Sequence, residues 1–183
     1  MFYPINSRNR NPAGAVAILC SVLALLPASA AAQRSDAEQP IHIEGDDAEI
    51  DQNNETIIYT GSVQVAQGTL RVYGDRMVGK VKGDQVERIT TLGAPAKYRQ
   101  KLEDDEGEVN AHADTIIYHT AQERVYLNGA ASLEQKGNTL SGESIRYDIV
   151  NGKVDASTGN TPGRVRMQLD PQTADTPSRN NQE

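Results

Sequence analysis

From Ile41 onward, apolar side chains fall on alternate positions: Ile41 and Ile43, Ala48 and Ile50, Val63 and Val65, Leu70 and Val72. The pattern resumes with Val109, Ala111 and Ala113, with Ile145, Tyr147 and Ile149, and with Val165, Met167 and Leu169. A period of two is the strand signature, and no long window carries helical spacing. Turn signals punctuate the runs: "DQNN" at 51, "QG" at 67, "KGD" at 82, "QKGN" at 135 and "NG" at 151. Gly and Asn at such points supply the backbone freedom that tight hairpins need. The spacing predicts an all-β domain of many short antiparallel strands: a sandwich, a jelly roll or a related β-roll.

The chain also repeats itself weakly. "IIYTGSVQVAQGTLRVYGDRM", from Ile57, lies over "VYLNGAASLEQKGNTLSGESI", from Val125, at an offset of 68. Gly61 meets Gly129, Val72 meets Leu140, and Gly74-Asp75 meets Gly142-Glu143. Each half reads as one set of hairpins, and the two sets are expected to stack on a shared core. "GAP" at 93 and "TPG" at 161 are expected to close the two repeats alike. The polar "KLEDDEGE", 101–108, is expected to be the loop between them.

Before the alternation comes a different grammar. Arg8 and Arg10 precede an apolar run from Ala13 to Leu26, then Pro27 and the small-residue string "ASAAAQ". The run falls short of the roughly 18 apolar residues of a membrane span. It predicts a secretory leader over residues 1–32, cleaved after Ala30 or Ala32. Residues 33–170 are then the domain. Residues 171–183 form a polar tail without a large apolar side chain, expected to be disordered.

Removing the leader takes away Cys20 and Phe2, the only cysteine and phenylalanine, and the chain has no tryptophan. An exported protein without disulfides must be held by its core or by partners, and here that core is aliphatic with some tyrosine. With Arg8 and Arg10 gone, 16 basic residues face 25 acidic ones, a net charge of −9. That balance argues against a nucleic-acid partner and against a basic membrane-surface patch.

Candidate chemistry is sparse. His42 stands two residues before Glu44 in "QPIHIEGDDAEID", with Asp46 and Asp47 following, which invites a metal or acid/base reading. Yet alternation that turns Ile41 and Ile43 inward turns His42 and Glu44 out to solvent. His112, between Ala111 and Ala113, reads the same way, and His119 completes the histidine supply. A structural zinc site needs three or four compactly spaced Cys or His ligands. Asp46, Asp47, Glu49 and Asp51 lack the fixed glycine and terminal glutamate of a calcium loop. The pairs Asp104-Asp105 and Glu106 with Glu108 sit in no apolar setting that would raise a carboxyl pKa. Ser62, Ser132, Ser141 and Ser144 lie in strand patterns without a nucleophile elbow. Gly74, Gly129 and Gly142 read as bends or bulges rather than phosphate loops. No metal, cofactor or catalytic residue is expected.

What remains is a binding function from shape. Unpaired backbone at the ends of an open stack can pair with a second copy, giving heterologous end-to-end chains. A wall of Ile, Val and Leu could hold a hydrocarbon ligand, each buried CH₂ contributing about 0.8 kcal/mol. The same side chains could equally meet in a filled core.

"PIHIE", "YTGSVQVAQGTLRVYGDRM", "GAPAKY", "LNGAASLEQKGNTLSGESIRYDI" and "RVRMQLDP" together resemble the LptA family of lipopolysaccharide-transport proteins, with its OstA-like domain. The similarity covers about residues 39–171. It implies an open, twisted antiparallel β-jellyroll in the periplasm, joined end to end as a homo-oligomer. It further implies that lipopolysaccharide passes from LptC at the inner membrane to LptD/LptE at the outer membrane, with acyl chains in the apolar interior. In the family the "PIHIE" strand contacts lipid, which falls here on Ile41 and Ile43. Further lipid-facing positions match Tyr98 and Tyr118, and family members often carry Phe where this chain has Tyr98. The inward alternation adds Ile50, Val63 and Val65 to the expected lipid-binding set. With a charge of −9, affinity is expected to come from acyl burial rather than from gripping phosphates. A scaffold that polymerises without carrying lipid is the alternative from another class.

Overall fold

The computed structural model describes residues 35–102, 106–160 and 162–171. The expected leader, and all of the expected tail except Pro171, lie outside the described residues. Ten strands form one antiparallel sheet. They are β1 (Ile41–Glu44), β2 (Asp47–Asp51), β3 (Thr56–Gln67), β4 (Leu70–Lys82), β5 (Gln85–Lys101), β6 (Glu108–His119), β7 (Arg124–Gln135), β8 (Asn138–Asp148), β9 (Lys153–Ser157) and β10 (Arg166–Gln168). Sequential strands pair from β3 to β8. β1 and β2 both lie against β3 at one end, β9 and β10 against β8 at the other. Each turn signal in the sequence sits at a hairpin, and the fold is the expected open, all-antiparallel β architecture.

The strands are longer than the spacing predicts, because six of them run straight through a fold in the sheet. Every pairing from β3–β4 to β7–β8 shifts register mid-strand: at Thr60/Val63, Tyr73/Arg76, Leu92/Ala96, His112/Thr115 and Asn128/Ala131. Such bulges bend a strand and sharpen its twist. Aligned across neighbours, they crease the sheet into two layers. The upper layer holds β1, β10 and the halves of β3–β8 beside the β3–β4, β5–β6 and β7–β8 turns. The lower layer holds β2, β9 and the other halves. On β4 the crease also switches the buried positions from Leu70 and Val72 to Met77 and Gly79. The inner faces of both layers merge into one cluster whose buried apolar members are 0 to 6% exposed. Each such Val, Leu or Ile contributes about 1.5–3 kcal/mol relative to exposure.

The 68-residue repeat is real in three dimensions, though its halves lie side by side in the sheet rather than stacked, each supplying both layers. β3 and β7 begin and end at equivalent residues at that offset. At the crease, Gly61 (φ +76°) and Gly129 (φ +81°) take the left-handed backbone that glycine adopts without strain. A Cβ at Gly61 would collide with the carboxylate of Asp46, and one at Gly129 with that of Asp114, itself 68 residues from Asp46. "GAP" does not close a repeat. It lies inside β5 at the crease, with a cis Ala94–Pro95 bond, and the chain continues to Lys101. "KLEDDEGE" is likewise trimmed, since Lys101 ends β5 and Glu108 begins β6.

Candidate functional site

The interior between the layers follows directly from the register, because directly opposed residues project to the same face. In the upper layer Ile43 stands opposite Val65, Val65 opposite Val72, and Val72 opposite Tyr98. The row continues through Ala111, Leu133 and Leu140 to Met167. In the lower layer a matching row starts at Ile50, opposite Ile57, and runs by Gly79 and Ile89 to Tyr118. It passes Val125 and Tyr147 and ends at Val154. Two apolar rows therefore face each other along the whole width of the sheet.

Of the seven residues expected from sequence to line an interior, the structure brings six together. Val63, Val65, Tyr98 and Tyr118 are buried in the cluster, and Ile41 and Ile43 pack half-buried against it. Ile50 departs from that set. It projects inward but is 66% exposed, because β2 is an edge strand and no upper-layer side chain covers it. At the opposite end Met167, on the edge strand β10, is 65% exposed. His42, Glu44 and His112 face outward as alternation requires. His119 is half-buried with its ring edge-on to Tyr126, the centroids 5.5 Å apart.

The turn ends of the two layers meet along the side opposite the crease. Glu123, on the lower turn after β6, has its carboxyl pushed up by burial and by Asp36 and Glu38, which border the upper layer. Tyr147 of the lower layer is raised by burial and by Glu106 on the upper β5–β6 turn. A short 3-10 turn, Asp36–Glu38, lies across the upper β3–β4 hairpin at this seam. Asp36 accepts from the Thr69 backbone N–H (2.6 Å), and its other oxygen accepts from Gln100 Nε2 (2.8 Å). Gln67 Nε2 donates to the carbonyls of Ala37 and Gln39, both at 3.1 Å. This strap is absent from the sequence expectations. Its signal would have been the glutamines at 67 and 100, polar residues at inward positions.

Gln100 also explains Tyr98. Its hydroxyl donates to Gln100 Oε1, so a phenol sits in an apolar wall without an unsatisfied polar end. Burial pushes its pKa well above the ordinary range, with Tyr147, Tyr118 and Asp36 adding to the shift, so it stays a neutral donor. Two polar atoms are left over. Gln67 Oε1 and Thr91 Oγ1 are buried with no hydrogen-bond partner among the described residues. A buried orphan of this kind costs about 1–3 kcal/mol.

The whole arrangement can bury hydrocarbon and offers a few fixed polar points. A family model described as "LptA/(LptD N-terminal domain) LPS transport protein" matches residues 42–153. The chain is 38% identical over 150 residues to the lipopolysaccharide export system protein LptH of Pseudomonas aeruginosa, covering 80% of this chain and 86% of that one. It is 34% identical over 143 residues to the lipopolysaccharide export system protein LptA of Escherichia coli K12, with 76% of each covered. The crystal structure of LptH, described as the LptA-homologous periplasmic component of the Pseudomonas lipopolysaccharide transport device, is similar to it with a TM-score of 0.69 at 36% identity. That likeness covers 75% of this chain and 100% of the other.

Proposed function

Because the chain belongs to the LptA/(LptD N-terminal domain) family of LPS transport proteins, we propose that it is a periplasmic, non-enzymatic carrier that shelters the acyl chains of lipopolysaccharide between its two sheet layers. The observation that carries this reading is the pair of facing apolar rows, continuous from edge to edge and free of charged side chains. Acyl burial supplies affinity at about 0.8 kcal/mol per CH₂, while sugars and phosphates remain in water.

The relatives are export-system proteins, and the LptH structure is described as periplasmic. In this reading residues 1–32 are the leader that takes the chain to the same compartment, and residues 33–170 are the working domain. It stands between LptC at the inner membrane and LptD/LptE at the outer membrane. β1, β2, β9 and β10 each pair on one side only among the described residues. Strand addition at these edges would join copies end to end.

The inner faces are closed on each other, so acyl chains must part the layers at the seam. A closed interior is also what a scaffold without lipid would have, and Ile43→Asp separates the two. A charge on the inner face should abolish capture of lipopolysaccharide, read by native mass spectrometry of the purified protein, while end-to-end assembly persists. Undiminished lipid capture by this variant would favour the scaffold.

A further inference from the structure

Gln67 and Thr91 stand out because the fold leaves both with an unanswered polar atom at a buried, inward position. Gln67 is 3% exposed and Thr91 0%. The orientation of the Gln67 amide is settled by chemistry. Its NH₂ group donates to two strap carbonyls, Ala37 and Gln39. Flipping the amide would set oxygen against oxygen, so Oε1 is held as a free acceptor. Thr91 lies beside the crease, with Met77 and Ile116 opposite it on the neighbouring strands. A side chain at Gly74 would meet the Thr91 methyl at 2.6 Å, so the absence of a Cβ there makes room for that methyl. The hydroxyl has no hydrogen-bond partner among the described residues.

Native interiors satisfy nearly all buried polar atoms, and one that stays orphaned calls for a role. Both orphans lie at inward positions, Gln67 against the strap and opposite Ile41 and Leu70, Thr91 between Met77 and Ile116. Gln67 is in the upper layer at the turn end of β3 and Thr91 in the lower layer beside the crease of β5, so a chain entering between the layers can meet one or the other. Oε1 can only accept, and Oγ1 can do either, so the complement to both is an O–H on the ligand.

We infer that Gln67 and Thr91 are specificity residues that pair with a hydroxyl group carried on an acyl chain, selecting hydroxylated over plain hydrocarbon ligands. The inference rests on the acyl-carrier reading above and adds to it the kind of chain preferred. A plain chain leaves both atoms orphaned, whereas a hydroxylated chain satisfies one and keeps its own hydroxyl paired.

The test is displacement of a fluorescent polyene fatty acid from the delipidated protein by dodecanoic acid and by 3-hydroxydodecanoic acid. The hydroxylated probe is expected to bind about threefold to tenfold more tightly, the worth of one net hydrogen bond. Thr91→Val, which is isosteric, and Gln67→Met should each reduce that ratio, and the double variant should bring it to about one. Thr91→Ser should keep it. Thr91→Val should also melt no lower than the parent, which separates loss of selectivity from loss of fold. Equal binding of the two probes by the parent, or a preference that survives in the double variant, overturns the inference and leaves the carrier reading standing. If neither probe displaces the reporter from the parent, both fall.

Discussion

The middle of the sheet and its two ends are built from the same repeat yet behave differently. β6 runs unbroken from Glu108 to His119; its equivalents 68 residues earlier are two separate strands, β1 and β2, divided at Gly45 and Asp46. β5 runs from Gln85 to Lys101; its equivalents 68 residues later are β9 and β10, separated by a stretch that contains Pro162 and Gly163. A central strand has a hydrogen-bonded neighbour on each side to carry it across the crease. An end strand has one, and there the crease becomes a break. The ends are also unlike each other. At the N-terminal end the upper edge is half-buried through Ile41 and Ile43 while Ile50 of the lower edge is exposed. At the C-terminal end the lower edge is half-buried through Val154 and Ala156 while Val165, Met167 and Leu169 of the upper edge are exposed. Uncovered apolar side chains thus lie on opposite layers at opposite ends, which suits head-to-tail contact and disfavours pairing of like ends.

The sharpest way to break this comparison uses Tyr118 and Ile50, which are equivalent in the repeat but 2% and 66% exposed. Tyr118→Ala should cost about 3–5 kcal/mol in urea denaturation, the range for deleting a buried aromatic. Ile50→Ala should stay within about 0.5 kcal/mol of the parent. Similar losses at both sites would mean that Ile50 is covered in solution, most simply by a second copy. Met167→Asp addresses that cover from the other end. Association should weaken by on the order of 2 kcal/mol, about 30-fold, in sedimentation over a dilution series, with unfolding of the dilute protein unchanged. An unaltered oligomer distribution would remove Met167 from the contact.

How much of this was legible from sequence depends on which interactions decide each feature. Alternation is local, so it placed Ile41, Ile43, Val63 and Val65 inward and His42, Glu44 and His112 outward; Tyr98 and Tyr118 came from the family resemblance instead. Turn chemistry is local too, and it located the hairpins. Ile50 has the same parity as its equivalent Tyr118. What separates them is the number of neighbouring strands, which alternation does not encode. The crease was hidden because a bulge inside a long strand and a turn between two short ones carry the same signals, as "GAP" in β5 illustrates. The strap was hidden because Asp36 acts through Thr69 and Gln100, which are 33 and 64 residues away.

The strap gives a smaller test of end against end. On the N-terminal side Asp36 ties the β3–β4 hairpin through its side chain; on the C-terminal side the Asp170 backbone N–H donates to Asn138 Oδ1 at the β7–β8 hairpin, 3.0 Å away. Asp36→Ala should therefore cost about 1–2 kcal/mol and speed hydrogen exchange at the Thr69 amide. Asp170→Ala keeps its backbone donor and should leave the Asn138 contact in place. Equal effects on both hairpins would show that the strap is held by its backbone alone.

The smallest expected effect separates the two halves by charge. Arg124 and Asp148 face each other on β7 and β8 and form an ion pair at 3.0 Å, whereas their equivalents on β3 and β4 are Thr56 and Lys80. The backbone N–H of Asn151, then the Arg124 guanidinium and the Asn151 side chain, hold the Asp148 carboxyl below its ordinary 3.8. The unfolded chain, with the higher pKa, binds the proton more readily. The contribution of Asp148 is therefore fully present above about pH 4 and is lost as pH falls through the depressed folded value. Asp148→Asn keeps an oxygen to accept from Asn151 but has no charge to titrate, so its stability should fall less steeply between pH 5 and pH 3. The difference should be modest and shrink in salt, because the pair stands at the surface. Parallel pH profiles for parent and variant would show that this half of the repeat draws nothing from its ion pair, leaving the apolar rows to account for what the two halves share.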